Sequence, residues 1–341
     1  MAEIVLGIGC SHTPQLHTPA RQWEIRAERD KRDGLPLWYK GRRLTYAELE
    51  AARQDESLDQ HLDMKIREAR LRAAHRAIEN LRLRFASANP DVTIIFGNDQ
   101  GEIFIDDPKP AITIMGAEEF ENLPRTEDQA SRLPPGIALS DIGHLPESGS
   151  VRIPGQPALA GRLADELSKA GFDITFAPEQ VRPDPARAQT SGMPHAYGFI
   201  YKQIMRDRLT PQVPIDINTF YPPNQPGTSQ CYALGQAVAR CLLDWDADAR
   251  VCVVASGGLS HFVVDETFDR DVMDALAEDQ VERLFDYDEN WFQAGSSEIK
   301  SWIALGGVMS QVDLAGTIVD YQALYRTPGG TGSSAAFMAW E

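Results

Sequence analysis

Three short apolar runs in this chain stop on small, polar residues, and this feature restricts its fold more than any other. The runs and the turns that follow them are residues 4–8 before Gly9-Cys10-Ser11-His12, residues 92–96 before Gly97-Asn98-Asp99, and residues 251–255 before Ser256-Gly257-Gly258-Leu259-Ser260-His261. Uninterrupted apolar runs of this length are typical of strands buried on both faces of a sheet. Since α/β proteins place functional groups beyond the carboxyl ends of such strands, we expect these turns to meet at one sheet edge.

The segments between the runs have the spacing of helices. Apolar residues recur at helical intervals over 62–85, and the pattern also predicts helices over 157–169, 196–206 and 229–243. Further strands are expected over 111–115, 172–176, 213–217, 317–321 and 335–340, whereas residues 118–154 are rich in proline, glycine and acidic residues and are expected to form a long loop. The alternation predicts a single α/β domain over 1–341, with a central mixed, largely parallel sheet flanked by helices.

Residues 20–55 interrupt this alternation as a charged excursion. Thr45 and Glu48 form a capping-box pattern that predicts a short helix. The excursion is expected to cover a site. Its cations Arg21, Arg26, Arg29 and Lys40 are candidates for reaching that site, although such charges more often form a solvated face.

Composition excludes several classes of function. The net charge of −17 argues against nucleic acid or an anionic membrane as a partner. The four cysteines form no CxxC pair, so a thiolate metal site and disulfides are not expected. With neither a signal sequence nor a long apolar span in the pattern, a cytoplasmic protein is expected.

Histidines and one glutamate are the candidate chemical groups. They are His12, His61, His195, His261 and Glu298. Each histidine alone is also compatible with an ordinary core position, and Glu298 is compatible with a first-turn glutamate capped by Ser296 or Ser297. Two histidines and one carboxylate are the ligand set that holds non-haem Fe(II) with open coordination positions. The chain has no HExxH pattern, so the residues alone do not identify the three ligands.

Three motifs resemble the class III extradiol ring-cleaving dioxygenases, in particular the subgroup of the protocatechuate 4,5-dioxygenase β subunit with gallate and 3-O-methylgallate dioxygenases. They are Gly9-Cys10-Ser11-His12-Thr13-Pro14, Ser256-Gly257-Gly258-Leu259-Ser260-His261-Phe262, and Gly295-Ser296-Ser297-Glu298 with Trp302. The resemblance extends over nearly the whole chain.

The resemblance implies a role for each candidate. His12, His61 and Glu298 would be the Fe(II) ligands, and His261 would be the acid/base residue. His195 would match a histidine that lies behind the ligands and contacts substrate; here it stands in Pro-His-Ala, where family members often carry Asp-His-Gly. Tyr221 is expected to wall the substrate pocket, with core packing as the other interpretation.

The implied reaction is the ring opening of a catecholic acid by O2, with 3-O-methylgallate as the preferred substrate and gallate, protocatechuate or a biphenyl-type catechol as rivals. A homodimer is expected, with the excursion or a second protomer taking the place of the small subunit of the protocatechuate enzyme. The competing hypothesis keeps the fold but makes the protein a zinc hydrolase or a non-catalytic metal-binding protein.

Overall fold

The computed structural model describes residues 1–32, 37–106 and 109–341. The strands are β1 Glu3–Cys10, β2 Leu37–Tyr39, β3 Arg42–Leu44, β4 Val92–Gly97, β5 Ile112–Met115, β6 Glu119–Asn122, β7 Val151–Pro154, β8 Ile174–Ala177, β9 Gln212–Ile217, β10 Arg250–Ser256, β11 His261–Val263, β12 Gly316–Tyr325 and β13 Thr331–Trp340. The α-helices are α1 Trp23–Asp30, α2 Tyr46–Ala52, α3 Met64–Ala88, α4 Glu127–Ser131, α5 Pro157–Lys169, α6 His195–Phe199, α7 Thr228–Leu243, α8 Glu266–Ala277 and α9 Ile299–Met309.

A nine-stranded mixed sheet forms the centre of a single α/β domain. Its strand order is β11-β13-β1-β10-β4-β9-β5-β8, with β12 paired to β13. The neighbours β1, β10, β4 and β9 run parallel, whereas the pairings of β13 and the β5–β9 pairing are antiparallel. The predicted fold class is therefore confirmed, and the carboxyl ends of β1, β10, β4 and β9 lie at the same edge.

Both faces of the sheet are covered by helices. In β10, Val251 and Val253 belong to one apolar core with α5, α7, α8 and α9, and Cys252 and Val254 belong to a second core with α3 and α6. Successive side chains of a strand point to opposite faces. This is why the central strands read as unbroken apolar runs: each residue is buried on one face or the other.

Two local predictions require correction. The expected loop over 118–154 contains the β6–β7 ribbon and α4, whose chain lacks the long periodic pattern that would have revealed them. The expected helix over 196–206 begins at His195 and changes at Ile200 to a π-helical turn.

In the excursion, the Thr45–Glu48 capping box is confirmed at the start of α2, and residues 33–36 of that segment lie outside the described residues. No helix in the described part of the chain is long and apolar enough to cross a membrane.

Candidate active site

A cavity of about 370 Å³ opens at the sheet edge where the parallel strands end. Its size lies within the range of about 300–1,000 Å³ that is usual for small-molecule sites. Five of the six predicted site residues line it: His12, His195, Tyr221, His261 and Glu298. The strand exits of β1 and β10 deliver His12 and His261, so the placement expected from the apolar runs is confirmed for these two residues.

His12 is held in one tautomer by its neighbours. Its Nδ1 lies 2.9 Å from Ser256 Oγ, and that hydroxyl donates its own proton to the carbonyl oxygen of Ala196 at 2.6 Å. The hydroxyl must therefore accept from His12 Nδ1–H. His12 Nε2 is left as an acceptor; it is buried, has no hydrogen-bond partner among the described residues, and lies 3.4 Å from Glu298 Oε2.

His195 begins α6 and is oriented by a buried carboxylate. Its Nδ1 lies 2.6 Å from Glu102 Oε2, and its backbone N–H donates to the same carboxylate. Burial disfavours the imidazolium, but the Glu102 charge outweighs this and raises the pKa of His195 to about 9. Burial also opposes ionisation of Glu102, yet His195 lowers the pKa of that carboxyl to about 2. A carboxylate behind an imidazole is the usual support of a metal-binding histidine.

His261 faces the same carboxylate from the other side. Its Nδ1 lies 2.8 Å from the carbonyl oxygen of Leu259, which can only accept, so Nε2 is again the acceptor nitrogen. This Nε2 lies 3.7 Å from Glu298 Oε2. The turn before it is anchored by the buried Asp269, which accepts from the backbone N–H and the hydroxyl of Ser260, each at 2.7 Å.

Glu298 lies at the centre of the group. It is the last residue of a 3₁₀ turn and precedes α9, so the expected serine cap is wrong: neither Ser296 nor Ser297 caps this helix. Its Oε2 accepts from the backbone N–H of Gly258 at 2.5 Å, and its Oε1 accepts from Gln100 Nε2 at 2.6 Å. Burial alone would raise the pKa of Glu298, but the positive charge that the facing His12 and His261 carry when protonated lowers this pKa well below its usual range.

These contacts leave acceptor atoms facing one another. One ring nitrogen each of His12 and His195 and one oxygen of Glu298 lie within 4.8 Å of one another, and all three side chains are buried or half-buried. Lone pairs on nitrogen and a carboxylate repel unless a positive charge lies between them. A proton on His195 or a metal ion meets this need. The residues present therefore fit a metal ion held by His12, His195 and Glu298.

Comparison with known proteins identifies the family. The protein family described as the catalytic LigB subunit of aromatic ring-opening dioxygenase matches residues 62–338 of this chain. The chain belongs to the LigB family. Because the match begins at residue 62, His12 lies outside it, and Glu298, His195 and His261 lie within it.

A more distant relative agrees with this LigB assignment. The chain is 26% identical over 290 residues to a protein of Rhodococcus jostii (strain RHA1) named 2,3-dihydroxyphenylpropionate/2,3-dihydroxicinnamic acid 1,2-dioxygenase, and the match covers 69% of this chain and 81% of that protein. Both comparisons are therefore with dioxygenases.

In this LigB chain the structure does not bring His61 to the other predicted ligands. His61 lies in a 3₁₀ turn before α3, with its ring stacked 5.3 Å from Tyr325 and its Nδ1 2.7 Å from Arg70 Nη2. It does not line the cavity. The expected grouping of His61 with His12 and Glu298 is therefore not seen: the histidine that lies beside these two residues is His195, which was expected to stand behind the ligands.

Gln100 and Glu102, just beyond β4, contact Glu298 and His195 but were not among the predicted site residues. Asp99 accepts four backbone N–H groups from residues 101–104. This compact turn directs Gln100 toward Glu298 and Glu102 toward His195. The polar run at Asn98-Asp99 marked the position, but its spacing carried no indication that the next residues would point inward.

The cavity wall contains further aromatic and imidazole groups. Tyr221 lines it, in agreement with the predicted pocket wall, and so do His17 and His144. Burial lowers the pKa of His17 to about 4 and that of His144 to about 3. These two histidines are therefore uncharged at neutral pH and give the wall polar atoms without positive charge.

Proposed function

We propose that this chain is an Fe(II)-dependent extradiol dioxygenase that opens the ring of a lignin-derived catecholic acid. Membership of the LigB family supports ring opening. The observation that carries the metal proposal is the group of His12, His195 and Glu298, whose acceptor atoms converge in a buried site. This is the two-histidine, one-carboxylate set that suits non-haem Fe(II).

Each ligand is oriented before any metal arrives. Ser256 holds His12, Glu102 holds His195, and Gln100 with Gly258 holds Glu298. Fe(II) held by His12, His195 and Glu298 would supply a Lewis acid for the catechol oxygens and a redox centre for dioxygen. The protein supplies orientation, because fixed side chains lose little freedom when the site is filled.

His261 is the proposed acid/base residue. Its Nδ1–H is held by the Leu259 carbonyl, so Nε2 is free to accept a catechol proton at the edge of the ligand group. Imidazole is the side chain most often used for proton transfer in catalysis. Phe262 and Tyr221 line the same cavity and are proposed to pack against the substrate ring.

The proposed substrate combines a catechol with a carboxylate. 3-O-Methylgallate is the preferred candidate, with gallate, protocatechuate and biphenyl-type catechols as rivals. The name of the Rhodococcus relative contains a dihydroxyphenyl group and an acid side chain, and a substrate of that class shares the same two features. We further propose that the protein acts as a homodimer and that residues 20–55 contribute to the cover of the site.

The test is anaerobic loading with Fe(II), followed by measurement of oxygen uptake on a panel of catecholic acids. Stoichiometric uptake with at least one acid, and a yellow ring-opened product, is the expected result. Zinc bound stoichiometrically with no uptake on any acid would instead support a zinc hydrolase or a non-catalytic metal-binding protein on this fold.

A further inference from the structure

Helix α1 presents two arginines to the cavity that contains the proposed metal ligands. Arg26 and Arg29 both line this cavity, together with His12, His261 and Glu298. Residues three apart in a helix lie on the same face, so the two guanidinium groups approach the cavity from one side. They are the cations of the excursion that reach it; Arg21 and Lys40 do not line it.

Neither arginine forms an ion pair within the described part of the chain, and the charge of Asp30 acts on Arg26 from a greater distance. Over residues 1–32, 37–106 and 109–341, no carboxylate lies within 4.0 Å of Arg26 or Arg29. The third arginine of the cavity wall, Arg125, pairs with Asp141 at 2.8 Å. Asp30, the acid at the end of α1, is occupied by Arg326 and by Thr331, each at 2.7 Å.

Arg26 is also incompletely hydrogen-bonded. Its Nη1 is buried and has no hydrogen-bond partner in the part of the chain that the structure describes. A buried donor without a partner costs about 1–3 kcal/mol, and more when the group is charged. Burial lowers the pKa of Arg26 to about 9, which still leaves it charged at neutral pH. Since Arg26 lines the cavity, an anion bound there would supply an acceptor for its guanidinium group.

We propose that Arg26, with Arg29 beside it, binds the carboxylate of the substrate. This inference rests on the proposed function: with the diol at the His12, His195 and Glu298 end, the acid group points toward α1. A guanidinium fork matches a carboxylate with two parallel hydrogen bonds. The net charge of −17 repels anionic ligands overall, so these two cations form the local attraction that selects catechols bearing an acid group.

The experiment compares binding of protocatechuate and catechol, which differ only by the carboxylate. Isothermal calorimetry is done on the metal-free protein, and KM for both compounds is measured on the Fe(II)-loaded protein. Arg26→Gln is expected to weaken protocatechuate binding about 10- to 100-fold, since a hydrogen bond to a charged group is lost, and to leave catechol within about two-fold. Arg29→Gln should give a smaller change in the same direction. Arg21→Gln is the matched control from the same segment, and it should change neither.

Several outcomes would overturn the assignment. Equal loss of both ligands would mean that Arg26 only shapes the cavity, and unchanged protocatechuate binding would mean that it does not contact the acid. If the glutamine variant does not fold, Arg26→Lys, which keeps the positive charge, is tested instead. Partial retention of the preference for protocatechuate over catechol supports the proposal. Full retention of both affinities refutes a contact through two parallel guanidinium hydrogen bonds. If no catecholic acid gives oxygen uptake but Arg26→Gln still weakens protocatechuate binding in calorimetry, only the proposed dioxygenase activity is refuted. Normal uptake with no Arg26 effect would refute the carboxylate site alone.

Discussion

Replacing His195 with alanine is expected to abolish stable metal binding, whereas replacing His61 with alanine is expected to leave it intact. His61 is half-buried, and its contacts are the stacked Tyr325 ring and Arg70. Its truncation should lower the free energy of unfolding by about 1–2 kcal/mol, from one aromatic contact and one hydrogen bond. The dissociation constant for Fe(II) should stay within about two-fold, because His61 does not meet the ligand group.

The expected loss of metal affinity at His195 is larger because the variant removes a proposed ligand and leaves the carboxylate that supports it without a partner. The variant leaves Glu102 buried without its imidazole partner. Loss of an outer partner of a metal ligand costs about 10- to 100-fold in affinity, so Glu102→Gln should fall in that range. His195→Ala should exceed it.

Anaerobic titration of the metal-free protein with Fe(II) measures the metal affinity of His195→Ala, His61→Ala and Glu102→Gln. Fe(II) content after gel filtration gives occupancy, and the visible absorption of a Co(II)-substituted sample reports the coordination. The result that refutes the ligand set is the reverse order: an iron-free His61→Ala protein beside an iron-replete His195→Ala protein. Urea denaturation of each variant separates loss of metal from loss of folding.

Three other changes test the remaining parts of the site. His261→Gln should keep iron but lower turnover by about 100-fold or more, as expected for loss of an acid/base group; an oxygen-uptake rate near that of the wild type contradicts this role. Gln100→Ala removes a hydrogen bond to the Glu298 carboxylate and should weaken Fe(II) binding by about 10- to 100-fold, which unchanged iron titration would disprove. The half-buried His17 has a pKa lowered to about 4, so the unfolded state binds more protons between pH ~6.5 and about 4, and stability falls as pH falls through this interval. The free energy of unfolding, measured in urea at several pH values, should depend less steeply on pH in His17→Gln than in the wild type. Equal pH dependence in the two proteins would contradict a lowered pKa of His17.

Much of the fold follows from local pattern. Strands buried on both faces must be apolar at every position, so β1, β4 and β10 are readable as unbroken runs, and the periodic segments predict α3, α5 and α7 within a few residues. Their carboxyl ends had to share an edge once the sheet was parallel. For this reason His12 and His261 were placed correctly from sequence, and the motif around Glu298 added the carboxylate.

Tertiary structure decided which second histidine lies beside His12 and Glu298. His61 and His195 are both histidines at helix starts, and the distance in sequence to His12 does not encode distance in space. The Asp99 turn brings Glu102 under His195 and Gln100 against Glu298, through contacts that no periodicity records.

The same limit applies to the charges of the excursion. Sequence reasoning left Arg21, Arg26, Arg29 and Lys40 equivalent, but the packing of α1 gives only Arg26 and Arg29 access to the cavity. The sequence by itself thus determined the layers, the sheet edge and most of the chemical groups. Only the folded chain decided which groups converge, because burial and hydrogen bonding depend on neighbours that are remote along the sequence.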